Sequence, residues 1–194
     1  MLDEDMEELR QLYTELAKLE KKGELGEALA DYVERISIYD LAMLCTSIMR
    51  TDDFIPGPYG KKLGLSMRDK IYDGYQRMLT MKSAGAFKKM TGDVRDKATL
   101  KGFCGEMIKV SGPLLESAKI YGDLGKAWTI LYCLTSCFSM FVLDKPGHPA
   151  GMPFPGGFCV ENRGGVYYCP SKGKQKDVTY AFCNFCPSRQ ADIG

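Results

Sequence analysis

The stretch "AWTILYCLTSCFSMFVL", Ala127 to Leu143, holds seventeen consecutive uncharged residues, and its reading decides the fold. Its length lies at the lower limit for crossing a bilayer. Two Thr, two Ser and two Cys interrupt it, and Leu, Ile, Val and Phe do not dominate it. A helix apolar on all sides is expected at the centre of a protein core. The helix from about 124 to 143 is therefore placed in the middle of a helical bundle, and a membrane span is set aside.

The segments before it supply the rest of the bundle. Met6, Leu9, Leu12, Leu16 and Leu19 recur at helical spacing from Leu2 to about Lys22, with acids early and lysines late, as the helix dipole favours. Gly23 and Gly26 punctuate. A second helix is expected from about Leu25 toward Arg50, with Ala28, Tyr32, Ile36, Ile38, Leu41, Leu44 and Ile48 inward. "DDFIPGPYG", Asp52 to Gly60, ends it, because proline cannot continue a helix. A third helix is expected over Ser66–Lys82 with Ser66 as N-cap and Met67, Ile71, Tyr75, Met78 and Leu79 inward. A fourth covers Lys97–Val110, and a short fifth follows Pro113 and stops near Gly122.

At Lys145 the composition changes. "KPGHPAGMPFPGGF", Lys145 to Phe158, has four Pro and four Gly in fourteen residues and reads as loop. "FCVENRGGVYYC", Phe158 to Cys169, alternates around a glycine-rich turn at Asn162–Gly165 and reads as a β-hairpin. The fold class is thus mainly α: a helical bundle over 1–144, with a small irregular and hairpin module over 145–194 packed on it. That module has too few apolar residues to fold alone.

Size and charge bound the function. A chain of 194 residues that is 45% hydrophobic and 26% charged is an ordinary globular protein with one full core. Its formal net charge of +1 gives no overall attraction to nucleic acid or anionic membrane. Residues 1–31 carry ten acids against four bases, and residues 61–101 carry eleven bases against four acids. The basic stretch lacks interleaved aromatics, so it reads as a solvated surface before a phosphate-binding one. The acidic, amphipathic start is wrong for a signal peptide. Eight cysteines without a secretory signal fit reduced thiols or metal ligands in a cytoplasm better than a disulfide framework.

The cysteines concentrate the chemistry. The tail repeats aromatic-Cys-Pro-Ser-basic, from Tyr168 to Lys172 and again from Phe185 to Arg189, with Cys183 just before the second copy. Cys183-x-x-Cys186 is a ligand pair at turn spacing that lets both sulfurs reach one ion. Cys169 precedes it by a gap that a loop can bridge, and each following proline stiffens the chain as it leaves the ligand. A module short of core is tied down well by a bound metal. Two residues compete for the fourth position. An odd hairpin loop would bring Cys159 onto the face of Cys169, and an even one would turn it away. His148, the sole histidine of the chain, is slightly favoured. Zinc is the default ion for such a set, and an iron–sulfur cluster is its rival. Cys133 and Cys137, four apart in the apolar helix, could share a second site, although buried cysteines usually act as small hydrophobes.

The tail motifs "GHPAGMPFPGGF" (147–158), "YYCP" (167–170), "KQKD" (174–177) and the final C-x-x-C resemble an uncharacterised protein family of archaea, found largely in methanogens. The resemblance implies a cytosolic protein of an anaerobe and places His148, Cys169, Cys183 and Cys186 in the family-like pattern. It brings no activity, substrate or partner.

Three functions stay in play. The first is a zinc-binding protein that acts by interaction, with a protein partner. The second is an iron–sulfur enzyme or electron-transfer component, using a pocket formed by "HPAGMPFPGGF". The third is a zinc module that binds nucleic acid through Lys172, Lys174, Lys176, Arg163, Tyr167 and Tyr168. The third is disfavoured, since lysines in a loop mostly serve solvation. The second lacks a phosphate-binding glycine motif and a second histidine for base catalysis.

Overall fold

The computed structural model describes residues 2–48, 57–118, 122–178 and 181–192. Seven α-helices appear among them: α1 (Leu2–Leu16), α2 (Lys22–Val33), α3 (Ile38–Ile48), α4 (Pro58–Ser83), α5 (Ala86–Lys89), α6 (Lys97–Ala118) and α7 (Gly122–Cys137). A π-helical turn, Phe138–Val142, continues α7. As the sequence leads one to expect, α7 occupies the middle, touching α2, α3, α4 and α6. Leu131, Leu134, Thr135, Ser136 and Cys137 are all buried, so adjacent positions around the whole helix are enclosed. The hydroxyls of Thr135 and Ser136 are satisfied within the helix, donating to Leu131 O and Tyr132 O at 2.7 Å each. That local bonding is what lets polar residues sit at the centre of the core. No helix among the described residues is long and apolar enough to cross a membrane.

Several boundaries differ from the sequence reading, each for a physical reason. The expected second helix is two: Ser37 interrupts it by capping α3, its Oγ accepting the Asp40 N–H at 3.1 Å. The break changes which side faces inward. Leu25, Leu29, Ala30 and Val33 form the buried face of α2, while Ile38 is 61% exposed. The expected stop of that helix at Asp52–Pro56 lies outside the described residues. Helix α4 begins at Pro58, eight residues before the expected cap Ser66, because proline at the first helical position loses no hydrogen bond. Its inward residues Ile71, Tyr75 and Met78 are buried as expected. Helix α6 runs through Pro113 to Ala118 instead of dividing there. Packing along α1 and α7 outweighs the cost of one lost backbone bond, about 3 kcal/mol. Asp96 caps its start, accepting the Thr99 N–H at 2.8 Å.

Gly23 and Gly26 do not punctuate; they lie inside α2 and admit Phe87 of α5. A Cβ on Gly26 would stand 2.4 Å from the Phe87 ring, and one on Gly23 would stand 2.3 Å from the Phe87 carbonyl oxygen. Backbone atoms cannot swing aside, so Gly23→Ala is expected to destabilise the protein by about 1–3 kcal/mol. Urea denaturation checks this, and an unchanged midpoint would show that α5 is free to shift away from α2.

The C-terminal module holds a small sheet of order β1-β2-β3 (Glu161–Arg163, Val166–Cys169, Arg189–Gln190). β1 and β2 form the expected hairpin, with Arg163 opposite Val166. Its two-residue loop, Gly164–Gly165, has φ of 60° and 86°, which only glycine adopts readily at both positions. β3 pairs in parallel with β2, Tyr168 opposite Arg189 and Cys169 opposite Gln190. The two Cys-Pro-Ser copies thereby come to lie side by side. Phe182, Phe185 and Cys186 pack against the bundle core, and Met152, Val160 and Cys169 form a small cluster against Leu63 and Met67 of α4.

Candidate functional site

Four segments meet between the bundle and the module. The loop after the π turn delivers His148, strand β2 ends on Cys169, and a 3-10 turn, Phe182–Asn184, carries Cys183 and leads to Cys186. Together with Tyr132 of α7 and Ser188, these four side chains line one cavity of about 10 Å³, a space for roughly one water-sized sphere. Cys169 and Cys183 are buried, and Cys186 is half-buried. All eight cysteines are free thiols. Among the described residues, no group of three or more His, Cys, Asp or Glu side chains is arranged so as to hold a metal ion. The four residues thus share a wall without forming a closed coordination shell.

Burial keeps the Cys169 and Cys183 thiols protonated, and neighbouring groups oppose that rise only in part. Burial raises the Cys169 thiol above its usual range, opposed chiefly by the Ser171 backbone N–H and secondarily by that of Lys172. Burial also raises Cys183, with Cys169 and Cys186 adding to the rise, while Lys172 and the Ser171 hydroxyl act against it. Ser188 Oγ lies 3.2 Å from Cys186 Sγ. The serine of each Cys-Pro-Ser copy therefore serves a thiol, Ser171 that of Cys183 and Ser188 that of Cys186. The sequence reading passed over both serines, although the repeat itself was their signal. Lys172 fixes the turn: its ammonium donates to Cys186 O at 2.7 Å and also to Cys183 O.

His148 is not the exposed loop residue its neighbours Gly147 and Pro149 suggest. Its Nε2 lies 2.9 Å from the Tyr132 hydroxyl, and Phe154 meets the ring edge-on at 5.8 Å. Burial, helped by the nearby Lys70 ammonium, pushes its pKa down to about 3, so the imidazole is neutral at neutral pH. With Nε2 engaged by Tyr132, Nδ1 makes no hydrogen bond among the described residues. Tyr132 is held in turn between aromatic neighbours, stacked on Trp128 at 5.0 Å and on Phe182 at 5.1 Å.

Cys159 stands apart. The even hairpin loop pairs Glu161 with Tyr168, and the next residues out, Val160 and Cys169, belong to one buried cluster. Cys159 lies outside β1, in an isolated bridge to Pro153, and does not line the cavity. Cys104, Cys133 and Cys137 lie in the bundle core near Tyr13. Burial pushes Cys104 and Cys133 up to about 12, which keeps them protonated small hydrophobes.

Residues 21–191 match the profile of a family described as an uncharacterized protein conserved in archaea, DUF2115. The chain belongs to that family. A UPF0305 protein of Methanothermobacter thermautotrophicus is 48% identical over 60 residues, 31% of this chain and 39% of the relative. A UPF0305 protein of Methanocaldococcus jannaschii is 25% identical over 172 residues, 89% of this chain and 98% of the relative. One of Methanopyrus kandleri is 37% identical over 69 residues, 35% of this chain and 49% of the relative. The chain thus covers less than half of the first and third relatives and nearly all of the second. The archaeal, largely methanogen family that the tail motifs resemble is the family found. No solved structure matches the chain.

Proposed function

We propose that this protein binds one zinc ion through His148, Cys169, Cys183 and Cys186, and that the ion clasps the Pro/Gly-rich loop and the hairpin onto the bundle as an interaction surface. The observation that carries this reading is the convergence of these four residues, drawn from three segments of the module, on one cavity of about 10 Å³. Three thiolates and an imidazole are a zinc donor set. The backbone amides and serine hydroxyls turned toward the sulfurs are the outer contacts that orient such ligands. Uptake of the ion requires the donor side chains to rotate inward, since they do not form a shell as they stand. A cavity of this size favours a single ion over a cluster of several iron and sulfur atoms.

Nucleic-acid binding is the weaker reading on specific grounds. Lys172 is committed to the Cys183 and Cys186 carbonyls. Arg163 is paired with Glu161 at 2.7 Å and lies over the Tyr168 ring at 4.7 Å. Those groups are taken up within the module and are not presented together to phosphate.

The test is elemental analysis with an absorbance spectrum on anaerobically purified protein. About one zinc per chain and no visible absorbance are expected. Less than about half an equivalent of any metal would overturn the proposal. A brown protein with broad visible absorbance would replace zinc with an iron–sulfur cluster.

A further inference from the structure

Lys70 points from α4 into the seam between the bundle and the module. At Gly74, one turn along, α4 approaches α7 so closely that a Cβ would stand 2.7 Å from Thr135 Cγ2. This proximity sets the Lys70 Nζ 2.7 Å from Ser136 Oγ and 3.5 Å from the centroid of the Tyr132 ring. The ring in turn reaches His148 through its hydroxyl. Among the described residues no carboxylate pairs with this ammonium. Ser136 and the Tyr132 ring of α7 contact it, and Cys133 of α7, His148 of the loop and Cys186 of the C-x-x-C turn are close enough to interact with it electrostatically. An enclosed ammonium without an anion is a costly arrangement. Accordingly, burial lowers the Lys70 pKa to about 7.

The zinc centre proposed above has the complementary deficit. A divalent ion with three thiolates and a neutral imidazole carries one net negative charge, and the bundle encloses it on one side. We infer that Lys70 is the built-in counter-cation of this centre, its ammonium held by Ser136 and the Tyr132 ring so that it balances the excess charge of the loaded thiolate set. The inference rests on the zinc reading and extends it to a residue outside the coordination shell. Two enclosed charges, each unpaired alone, then satisfy one another. The coupling is reciprocal: the loaded centre holds the proton on Lys70, and the protonated lysine tightens metal binding by the same factor. Affinity should accordingly fall on both sides of neutrality, in acid as the thiolates protonate and in alkali as Lys70 loses its proton. If Lys70 serves only to pin α4 to Ser136, removing its charge leaves the centre untouched.

Lys70→Met keeps the apolar stem and removes the charge. Zinc affinity of the full chain, measured near neutral pH by competition with a chromophoric chelator, should drop about 10–100-fold, as for other outer contacts of metal ligands. Affinity equal to the wild type would overturn the role of Lys70 while leaving the zinc reading intact. A wild-type protein that takes up no zinc would overturn both. Should the variant fail to fold, the wild type decides by itself. In the zinc-loaded protein, with lysine side chains followed by NMR, Lys70 is expected to keep its proton beyond about pH 8, one unit or more above its titration when unpaired. Titration near about pH 7 in the loaded protein would refute the pairing.

Discussion

On the zinc reading proposed above, Cys183→Ser is expected to lose the ion and to melt well below the wild type. Cys183 is the buried member of the C-x-x-C pair, 9% exposed, and its backbone carbonyl is one of two that Lys172 holds. The substitution removes a thiolate from the donor set and puts a weaker ligand in its place. Loss of a structural metal is among the few single changes that exceed about 4 kcal/mol. At this chain length that corresponds to a fall in Tm of roughly 8–16 °C. Chelation of the wild type should reproduce the same drop, because binding to the folded state alone is a stability term. The control is Cys159→Ser, which changes a cysteine that does not line the cavity and should keep its zinc. A Cys183→Ser protein with full zinc content and an unaltered Tm would remove Cys183 from the site.

Phe103→Ala should be as damaging, by a different route. Phe103 of α6 is fully buried. Its ring meets Phe141 of the π turn at 5.5 Å, Phe182 at 5.5 Å and Phe185 at 5.7 Å. The last two flank Cys183 in sequence, so one bundle residue anchors the turn that bears the C-x-x-C pair. Truncation of a buried phenylalanine costs about 3–5 kcal/mol through lost burial and the cavity left behind. Here the cavity opens at the junction, so proteolytic cleavage in the loop over 145–160 should accelerate together with the loss of stability. Zinc should bind more weakly as well, because the turn is no longer held in place. A cost below about 1 kcal/mol, with the loop still protected, would mean that the ring cluster does not carry the attachment.

The parts of the fold that were legible in the sequence share one property: their signal is local and repeated. The apolar run over 127–143 announced the central helix, and the 3.6-residue spacing of Ile71, Tyr75 and Met78 announced the inner face of α4. The glycine pair at 164–165 announced the hairpin. The misreadings occurred where a single residue has two physical roles. Pro58 reads as a stop but begins a helix, and Pro113 reads as a break but lies within one. Gly23 and Gly26 read as punctuation but serve close packing against Phe87. For Pro58 the deciding factor is its place at the start of α4, whereas for Gly23 and Gly26 it is Phe87, distant in sequence.

The candidate site divides in the same way. The sequence by itself determined the donor types, the C-x-x-C spacing and the repeated Cys-Pro-Ser, because ligand chemistry and turn geometry are properties of adjacent residues. Only the tertiary structure decided which donors face one cavity. Cys159 sits in a bridge to Pro153, outside the residues that line the cavity. Contact with Tyr132, sixteen residues earlier, brought His148 inward from a loop that reads as exposed. The close approach of α4 to α7 at Gly74 delivered Lys70 to the Tyr132 ring, which lines the same cavity. Burial and charge balance at the site are sums over segments far apart in the chain, and such sums exist only once the chain has folded.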